Sequence, residues 1–335
     1  MKILFFHDGS DYSMPVLNHA NLFGEHSMQV SACRLGSEEE AERMLLTDYD
    51  MVLVNQTCCS DMIVDCGKPV IIMERIDGSQ LAGSRKWIPR VAGVIKSYAL
   101  KPAALNNQVN GRFHAHLIAE ATGKAKNTRA FDDLPMPQLS SNELKRIRVS
   151  YGFSAYPKFG CLQHQFVDFS SDREYALHFA GFVNYSETEI ESHRKLCLSV
   201  MEDWSRKHPG LAIVGAGRAL PLGEYWKTMY LSRAVVSPWG WGESCHRDYE
   251  AMLLGAVLVK PTMDHVDCWP QVYEPEVTYV KCATDFSDIS EIIARIGKDW
   301  KLWRQRRIDA RTAVLHSMHP ARIIRSMVGA IRSLL

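Results

Sequence analysis

From end to end the chain alternates short apolar runs with segments of helical period. Lys2 to Phe6, Met28 to Cys33, Met51 to Asn55, Val70 to Met73, Val91 to Lys96 and Ile147 to Ser150 are strand-sized and apolar on consecutive positions. Runs without period-2 alternation predict strands covered on both faces, as in a parallel sheet. Ser37 followed by Glu40 predicts a capped helix through Leu46. The second half repeats the rhythm, with strands over Tyr175 to Ala180, Leu211 to Val214, Ala234 to Ser237, Val257 to Val259 and Val277 to Val280. Helical patterns fill Glu187 to Lys207, Leu222 to Ser232 and Asp288 to Ile296. Two βα halves of similar size predict an α/β fold whose halves face each other across a cleft, which is the default ligand site.

Between Ala119 and Leu144 the pattern gives way to Lys, Asn, Asp, Pro and Ser, which reads as a long connection. The expected division is residues 1–158, residues 159–312 and a terminal amphipathic helix over residues 313–335. In that tail Ile323, Ile324, Met327, Val328 and Ile331 share one face, and from Lys298 onward basic residues outnumber the two aspartates, Asp299 and Asp309. Such a helix either packs its stripe on the body of the protein or lies on an anionic membrane surface.

Composition removes several classes. A net charge of +1 over 335 residues offers no general field for nucleic acid. No apolar run approaches the roughly 20 residues of a membrane span. The start, Met1-Lys2-Ile3-Leu4-Phe5-Phe6-His7-Asp8, lacks the layout of a signal peptide, so a cytoplasmic location is expected, with the basic tail as the feature that would bring the chain to the inner face of a membrane. Nine cysteines with no paired CxxC spacing read as free thiols rather than as a zinc site or a disulfide framework.

Chemistry-bearing residues gather between Ser237 and Pro261. Pro238, Gly240 and Gly242 stop a strand and let backbone approach a ligand; a helix then starts near Cys245, so the amides from Ser244 to Arg247 suit an anion. Arg247 adds a bidentate cation for a diphosphate, and Glu250, one turn further in, suits ribose hydroxyls. Glu243 would sit at the far end of the same ligand, and His246 is a candidate donor to the β-phosphate or the departing oxygen. Trp239, Trp241 and Tyr249 are candidates for stacking or for core. On the helix after the first strand of the second half, His193 and Arg194 offer further positive charge, and Gly217 in Gly215-Ala216-Gly217-Arg218 could approach a base. In the first half His7, Asp8, Glu74 and Asp77 fall at strand ends, where one of them could deprotonate an acceptor hydroxyl.

Ser237-Pro238-Trp239-Gly240, followed by Arg247-Asp248-Tyr249-Glu250-Ala251-Met252-Leu253-Leu254-Gly255-Ala256-Val257-Leu258-Val259-Lys260-Pro261, resembles the signature of GT-B glycosyltransferases, in particular exostosin-like and group 1 enzymes. The resemblance covers the second half well and the first half only in its rhythm of strands. It implies two Rossmann-like domains facing across a cleft, with a nucleotide-sugar donor on residues 159–312, a glycan or lipid-linked acceptor on residues 1–158, and a final helix that crosses back to the first domain. No metal or cofactor is implied beyond the nucleotide-sugar co-substrate. Glu250 matches the glutamate that binds the donor ribose, the amides around Ser244 to Arg247 match the phosphate-binding helix start, and Glu243 resembles the first glutamate of a two-glutamate motif. Six residues separate the two glutamates here, one fewer than in the family.

The expected activity is glycosyl transfer in cell-envelope polysaccharide synthesis. A sugar-nucleotide epimerase or phosphorylase of the same fold, and a non-catalytic nucleotide-sugar-binding protein, are the alternatives. The expected catalytic set is Asp8, Asp77, Glu243 and His246; the expected donor-binding set is Gly240, Gly242, Ser244, Cys245, Arg247, Tyr249, Glu250, Arg194 and Gly217.

Overall fold

The apolar runs become the strands of two parallel sheets in a computed structural model, which describes all residues except 11–12, 75–77, 80, 82, 108–111, 124–137, 152–158, 187 and 217–219. In chain order the strands are β1 Lys2–His7, β2 Gln29–Arg34, β3 Met51–Asn55, β4 Val70–Met73, β5 Gly93–Lys96, β6 Tyr98–Leu100, β7 Ile147–Val149, β8 Tyr175–Gly181, β9 Ala212–Ala216, β10 Ser232–Val236, β11 Val257–Pro261, β12 Val266–Cys268 and β13 Tyr279–Cys282. The first sheet runs β2-β1-β3-β4-β5-β7 and the second β13-β11-β10-β8-β9, every described pairing in both being parallel. Each sheet separates two apolar clusters, which is why its central strands read as continuous hydrophobic runs. Ser37 caps the helix Glu38–Leu45 by accepting from the Glu40 amide at 3.2 Å.

A short antiparallel ladder of β6 and β12 joins the halves, with Trp269 N–H donating to Ser97 O at 3.1 Å and Lys101 N–H to His265 O at 2.9 Å. The helix Phe113–Thr122, read from sequence partly as loop, also lies on the second lobe: Ile118 and Tyr98 belong to the apolar cluster built on β10, β11 and the helix His246–Leu253. Residues on both sides of Tyr98 to Thr122 pack with the first sheet, so this stretch is an excursion onto the second lobe within residues 1–158; Tyr151 packs with the first sheet and Phe159 with the second lobe. The ladder was invisible in sequence because each strand has three residues and the partners are far apart in the chain.

The tail is two helices, Trp303–Met318 and Pro320–Leu334, not one. Pro320 has no N–H to give and is tolerated at the first turn, so the break falls there rather than at residue 313. Ala310 and Val314 of the former pack on the second lobe; Ile323, Ile324, Met327, Val328 and Ile331 of the latter are sealed against β1, β3, β4 and β5 of the first. The apolar stripe therefore crosses back and is spent on the protein, leaving Arg322, Arg325 and Arg332 outside. Of the two readings of the stripe, packing on the body of the protein is the one that its burial agrees with. No described helix is long and apolar enough to cross a membrane. The nine cysteines are free, Cys33, Cys58, Cys197, Cys268 and Cys282 being buried.

Ile331 is fully buried beneath the first sheet. Ile331→Ala should lower the stability to urea by about 2–5 kcal/mol, the usual cost of emptying an aliphatic core site. A loss under about 1 kcal/mol would mean that the helix is only loosely applied to the lobe.

Candidate functional site

In the second sheet the chain leaves β8 for its neighbour on one side and β10 for its neighbours on the other, so the crevice beyond the carboxyl ends of β8 and β10 is the topological switch point. A cleft of about 320 Å³ lies there, walled by Phe182 and Tyr185 after β8, Gly240 to His246 after β10, Arg194, Tyr225, Arg247 and Glu250.

The β10 wall is fixed by one buried carboxylate. Ser237 N–H extends the ladder to Val259 O at 2.9 Å before Pro238 ends it. Asp248 then accepts from Ser237 Oγ at 2.5 Å, Tyr273 Oη at 2.7 Å and the Cys245 amide at 2.9 Å, while Lys260 Nζ stands 3.2 Å away. Both charged side chains are sealed from solvent. Cys245 caps the helix His246–Leu253 in a reciprocal box with Asp248. Gly255, at φ +70°, ends that helix in the left-handed region, and a Cβ there would lie 2.8 Å from Val167 Cγ1.

On this short helix, positions three apart share a face, so Arg247 and Glu250 look into the cleft together. Arg247 Nη2 donates to Ala180 O at 2.9 Å, while Nε and Nη1 are buried with no protein acceptor. Its approach to β8 requires Gly181, where a Cβ would fall 2.0 Å from Nη2. His178, behind it on β8, is pushed down to about 3 by burial and then by the Arg247 charge, so it is neutral. Glu250 accepts from Trp226 Nε1 at 3.3 Å and Tyr225 Oη at 3.4 Å. Burial pushes the Tyr225 phenol up to about 12, which keeps it a donor. Arg194 donates to Trp239 O and Phe182 O, both at 2.9 Å, and its Nη2 lies 3.7 Å from Cys245 Sγ.

Of the expected donor residues, Gly240, Gly242, Ser244, Cys245, Arg247, Glu250 and Arg194 line the cleft, as does His246 from the catalytic set. The Cys245 amide is taken by Asp248, so it is not available to an anion as expected. Ser244 Oγ is engaged with Tyr273 Oη at 2.5 Å. Tyr249 does not line the cleft: it is fully buried against Phe159, because it falls on the opposite side of the helix from Arg247 and Glu250. Trp239 is likewise core, and the exposed aromatics at the mouth are Phe182 and Trp241. His193 is not a source of charge: burial holds it near 3, and it bonds Thr284 O at 2.9 Å and stacks on Phe286. Gly217 and Asp77 lie outside the described residues.

Asp8 and Glu243 are differently employed. Asp8 accepts from Ser10 N–H at 2.9 Å, Asn55 Nδ2 at 3.1 Å and Thr57 Oγ1 at 2.7 Å, and its carboxyl is held low by those donors although burial opposes them. It serves to join the ends of β1 and β3, which is why it sits at that turn. Glu74 is paired with Lys96 at 3.4 Å in the core of the first lobe. Glu243 has no exposed surface and does not line the cleft. It reaches the first lobe instead, accepting from Ser79 N–H at 3.1 Å and from Ser79 Oγ, with His114 Nδ1 at 3.3 Å and His265 Nε2 at 3.8 Å. Burial alone would raise its carboxyl; the His114 and His265 rings and the Ser79 hydroxyl hold it well below the carboxylate range.

Sequence reasoning missed Phe182, Tyr185, Tyr225, Trp226 and the Asp248–Lys260 pair. Gly181-Phe182 directly after a strand bordering the switch point was the available signal for the first two. Among the described residues no group of three or more His, Cys, Asp or Glu could hold a metal ion.

Neither a protein-family model nor a curated protein sequence matches the chain. Among solved structures, the lipopolysaccharide outer core galactosyltransferase WaaB is similar over 100% of both chains at 11% identity, with a TM-score of 0.53. The chain has the GT-B fold. HepE from Anabaena in complex with UDP-glucose (13% identity, 99% of this chain and 100% of that one, TM-score 0.44) is more distantly similar in structure. The same holds for sucrose-phosphate synthase from Thermosynechococcus elongatus (12% identity, 100% and 99%, TM-score 0.47). In this GT-B chain the cleft belongs to the second lobe.

Two consequences can be measured. Asp248→Asn leaves Lys260 charged and unpaired in the interior, which should cost about 3–5 kcal/mol in urea unfolding. Replacing Lys260 by Met in the same chain should recover much of that loss; an equal loss in the double variant would disprove the pairing. For His193, the ring resonances should not titrate between about pH 8 and pH 5, because neutral imidazole is the favoured form down to its depressed value. A midpoint near the ordinary 6.5 would overturn the assignment of a neutral, buried ring.

Proposed function

We propose that the chain is a glycosyltransferase that moves a sugar from a nucleoside diphosphate to a hydroxyl acceptor. The observation that carries this reading is the pairing, in one cleft at the switch point, of a buried guanidinium with two unpartnered nitrogens and a carboxylate one helical turn away. An anion with a vicinal diol next to it answers both. Arg247 and Arg194 take the diphosphate with charge-assisted bonds, which strengthen as negative charge collects on the leaving oxygen. Glu250, oriented by Tyr225 and Trp226, accepts from the ribose hydroxyls. Trp241, Tyr185 and Phe182 offer aromatic faces for the base. His246, on the same wall, is the candidate donor to the departing oxygen.

In this proposal the guanidiniums neutralise the leaving group, no metal takes part, and the acceptor enters from the first lobe. Asp8 is a poor base because its carboxylate is already held by several donors. A glycan acceptor in the cell envelope is the reading that the named substrate of WaaB suggests. Contact with the inner face of a membrane would rest on charge alone, through Arg322, Arg325 and Arg332. A phosphorylase of the Schiff-base kind is disfavoured because Lys260 is buried and paired with Asp248.

The test is calorimetric binding of UDP, GDP, ADP and CDP, followed by transfer or slow donor hydrolysis with the matching sugar nucleotides. Arg247→Ala and Glu250→Ala should each weaken nucleotide binding by about tenfold or more, as expected for a lost charged hydrogen bond. Unchanged affinity in both variants would sink the assignment. Tight binding without turnover on any acceptor would make the chain a nucleotide-sugar-binding protein.

A further inference from the structure

We infer that Glu243 is a positioning residue that latches the two lobes together, rather than a group that touches the donor; this rests on the proposed reading of the cleft. Its chain neighbours Gly242 and Ser244 line the cleft, but its own side chain points away from it, with no exposed surface. Both carboxylate oxygens are occupied across the lobe boundary. Oε2 takes the Ser79 amide at 3.1 Å; Oε1 takes the Ser79 hydroxyl and faces His114 Nδ1 at 3.3 Å.

The partners divide unequally between the lobes. His114 lies on the helix Phe113–Thr122, which packs on the second lobe, and its Nε2 meets Gly240 O at 3.1 Å. His265 is next to β12, also on the second lobe. Ser79 follows β4 of the first sheet, and Lys96 Nζ at the end of β5 donates to Ser79 O at 3.2 Å while pairing with Glu74. The Ser79–Glu243 contact therefore spans the boundary between the lobes, while the histidines lie on the same side of it as Glu243. A loop whose backbone walls the donor cleft is held by its middle residue to the acceptor lobe. Donor occupancy and lobe closure are thus coupled through three consecutive residues, Gly242, Glu243 and Ser244.

The experiment uses the full chain and three variants: Glu243→Gln, Ser79→Ala and Ser79→Thr. Hydrogen exchange at Ser79 and over the helix Phe113–Thr122, measured without nucleotide, reads the latch independently of any activity. The latch requires faster exchange at Ser79 in Glu243→Gln and Ser79→Ala, and wild-type exchange in Ser79→Thr, which keeps the hydroxyl. It also requires that the best-bound of UDP, GDP, ADP and CDP bind both loosened variants within about threefold of wild type, since only the closing step is altered. Turnover in those variants should fall by tenfold or more in kcat, with KM changed far less. Wild-type exchange at Ser79 in both variants overturns the latch. So does a Glu243→Gln chain that binds the nucleoside diphosphate normally but loses its preference for the sugar-bearing donor, since that would put the carboxylate on the sugar. Should no nucleotide bind the wild type, the proposed function fails while the exchange measurement still decides the latch. Should Glu243→Gln fail to fold, Ser79→Ala against Ser79→Thr carries the same decision from the other side of the contact.

Discussion

A carboxylate sealed from water must be matched by hydrogen-bond donors and a counter-charge, and the β10 wall of the cleft is built around that demand at Asp248. The loop from Ser237 to Cys245 contains a proline and two glycines, so its own conformational preference is weak and its ordering entropy large. Asp248 removes that freedom by tying the end of β10, the helix cap and Tyr273 to a single side chain, with Lys260 supplying the charge from the next strand. The pair adds little net stability as such, because desolvating two ions consumes most of what their attraction returns. Its use is geometric. With the loop pinned, Arg247 and Glu250 are presented on one face of a helix that is only two turns long and would not be stable by itself.

The two sheets share one strand order over five strands, the first sheet adding β7 at its edge, and in each the switch point is where polar side chains collect. What differs is how far those side chains are already satisfied. At the first sheet Asp8, in the turn after β1, is bonded to Ser10 and to Asn55 and Thr57 at the end of β3, so its oxygens are filled by neighbouring donors. At the second, Arg247 retains buried donors without acceptors, an arrangement that is unfavourable unless a ligand completes it. The same topology thus yields a structural joint on one lobe and a ligand-demanding crevice on the other. That contrast, more than the resemblance in sequence, favours the second lobe for the proposed anion site.

Much of this was legible in the chain. The parallel strands could be read because burial on both faces forces continuous apolar runs, and the start of the helix at Cys245 could be read because Pro238 and the glycines interrupt the pattern. What could not be read was which face of a helix meets which neighbour. Tyr249 and Glu250 are adjacent in sequence, yet one is core and the other lines the cleft, a matter of helical phase set by Phe159 and by Arg247 reaching Ala180. Glu243 was placed by its spacing from Glu250, but it is turned away by Ser79, a residue of the other lobe that local sequence around the motif cannot report. The β6–β12 ladder and the helix Phe113–Thr122 escaped for the same reason, being stabilised by partners more than a hundred residues away.

The contacts between the lobes differ in reversibility. The helix Pro320–Leu334 buries five large aliphatic side chains against the first sheet, and at roughly 25 cal/mol per Å² of apolar surface its detachment would expose too much to occur in a catalytic cycle. The β6–β12 ladder exchanges main-chain bonds, and its loss would strand backbone groups beside a buried cluster. Both therefore behave as fixed joints. The Ser79–Glu243 contact is polar, and its members can exchange one another for water when the cleft opens, so its net strength is small even though each bond is short-range and directional. Joints that hold through apolar burial fix the path of closure; a contact that holds through hydrogen bonds can be made and broken along it. Placing the breakable contact in the same loop that walls the ligand cleft is what allows closing to depend on what the cleft contains.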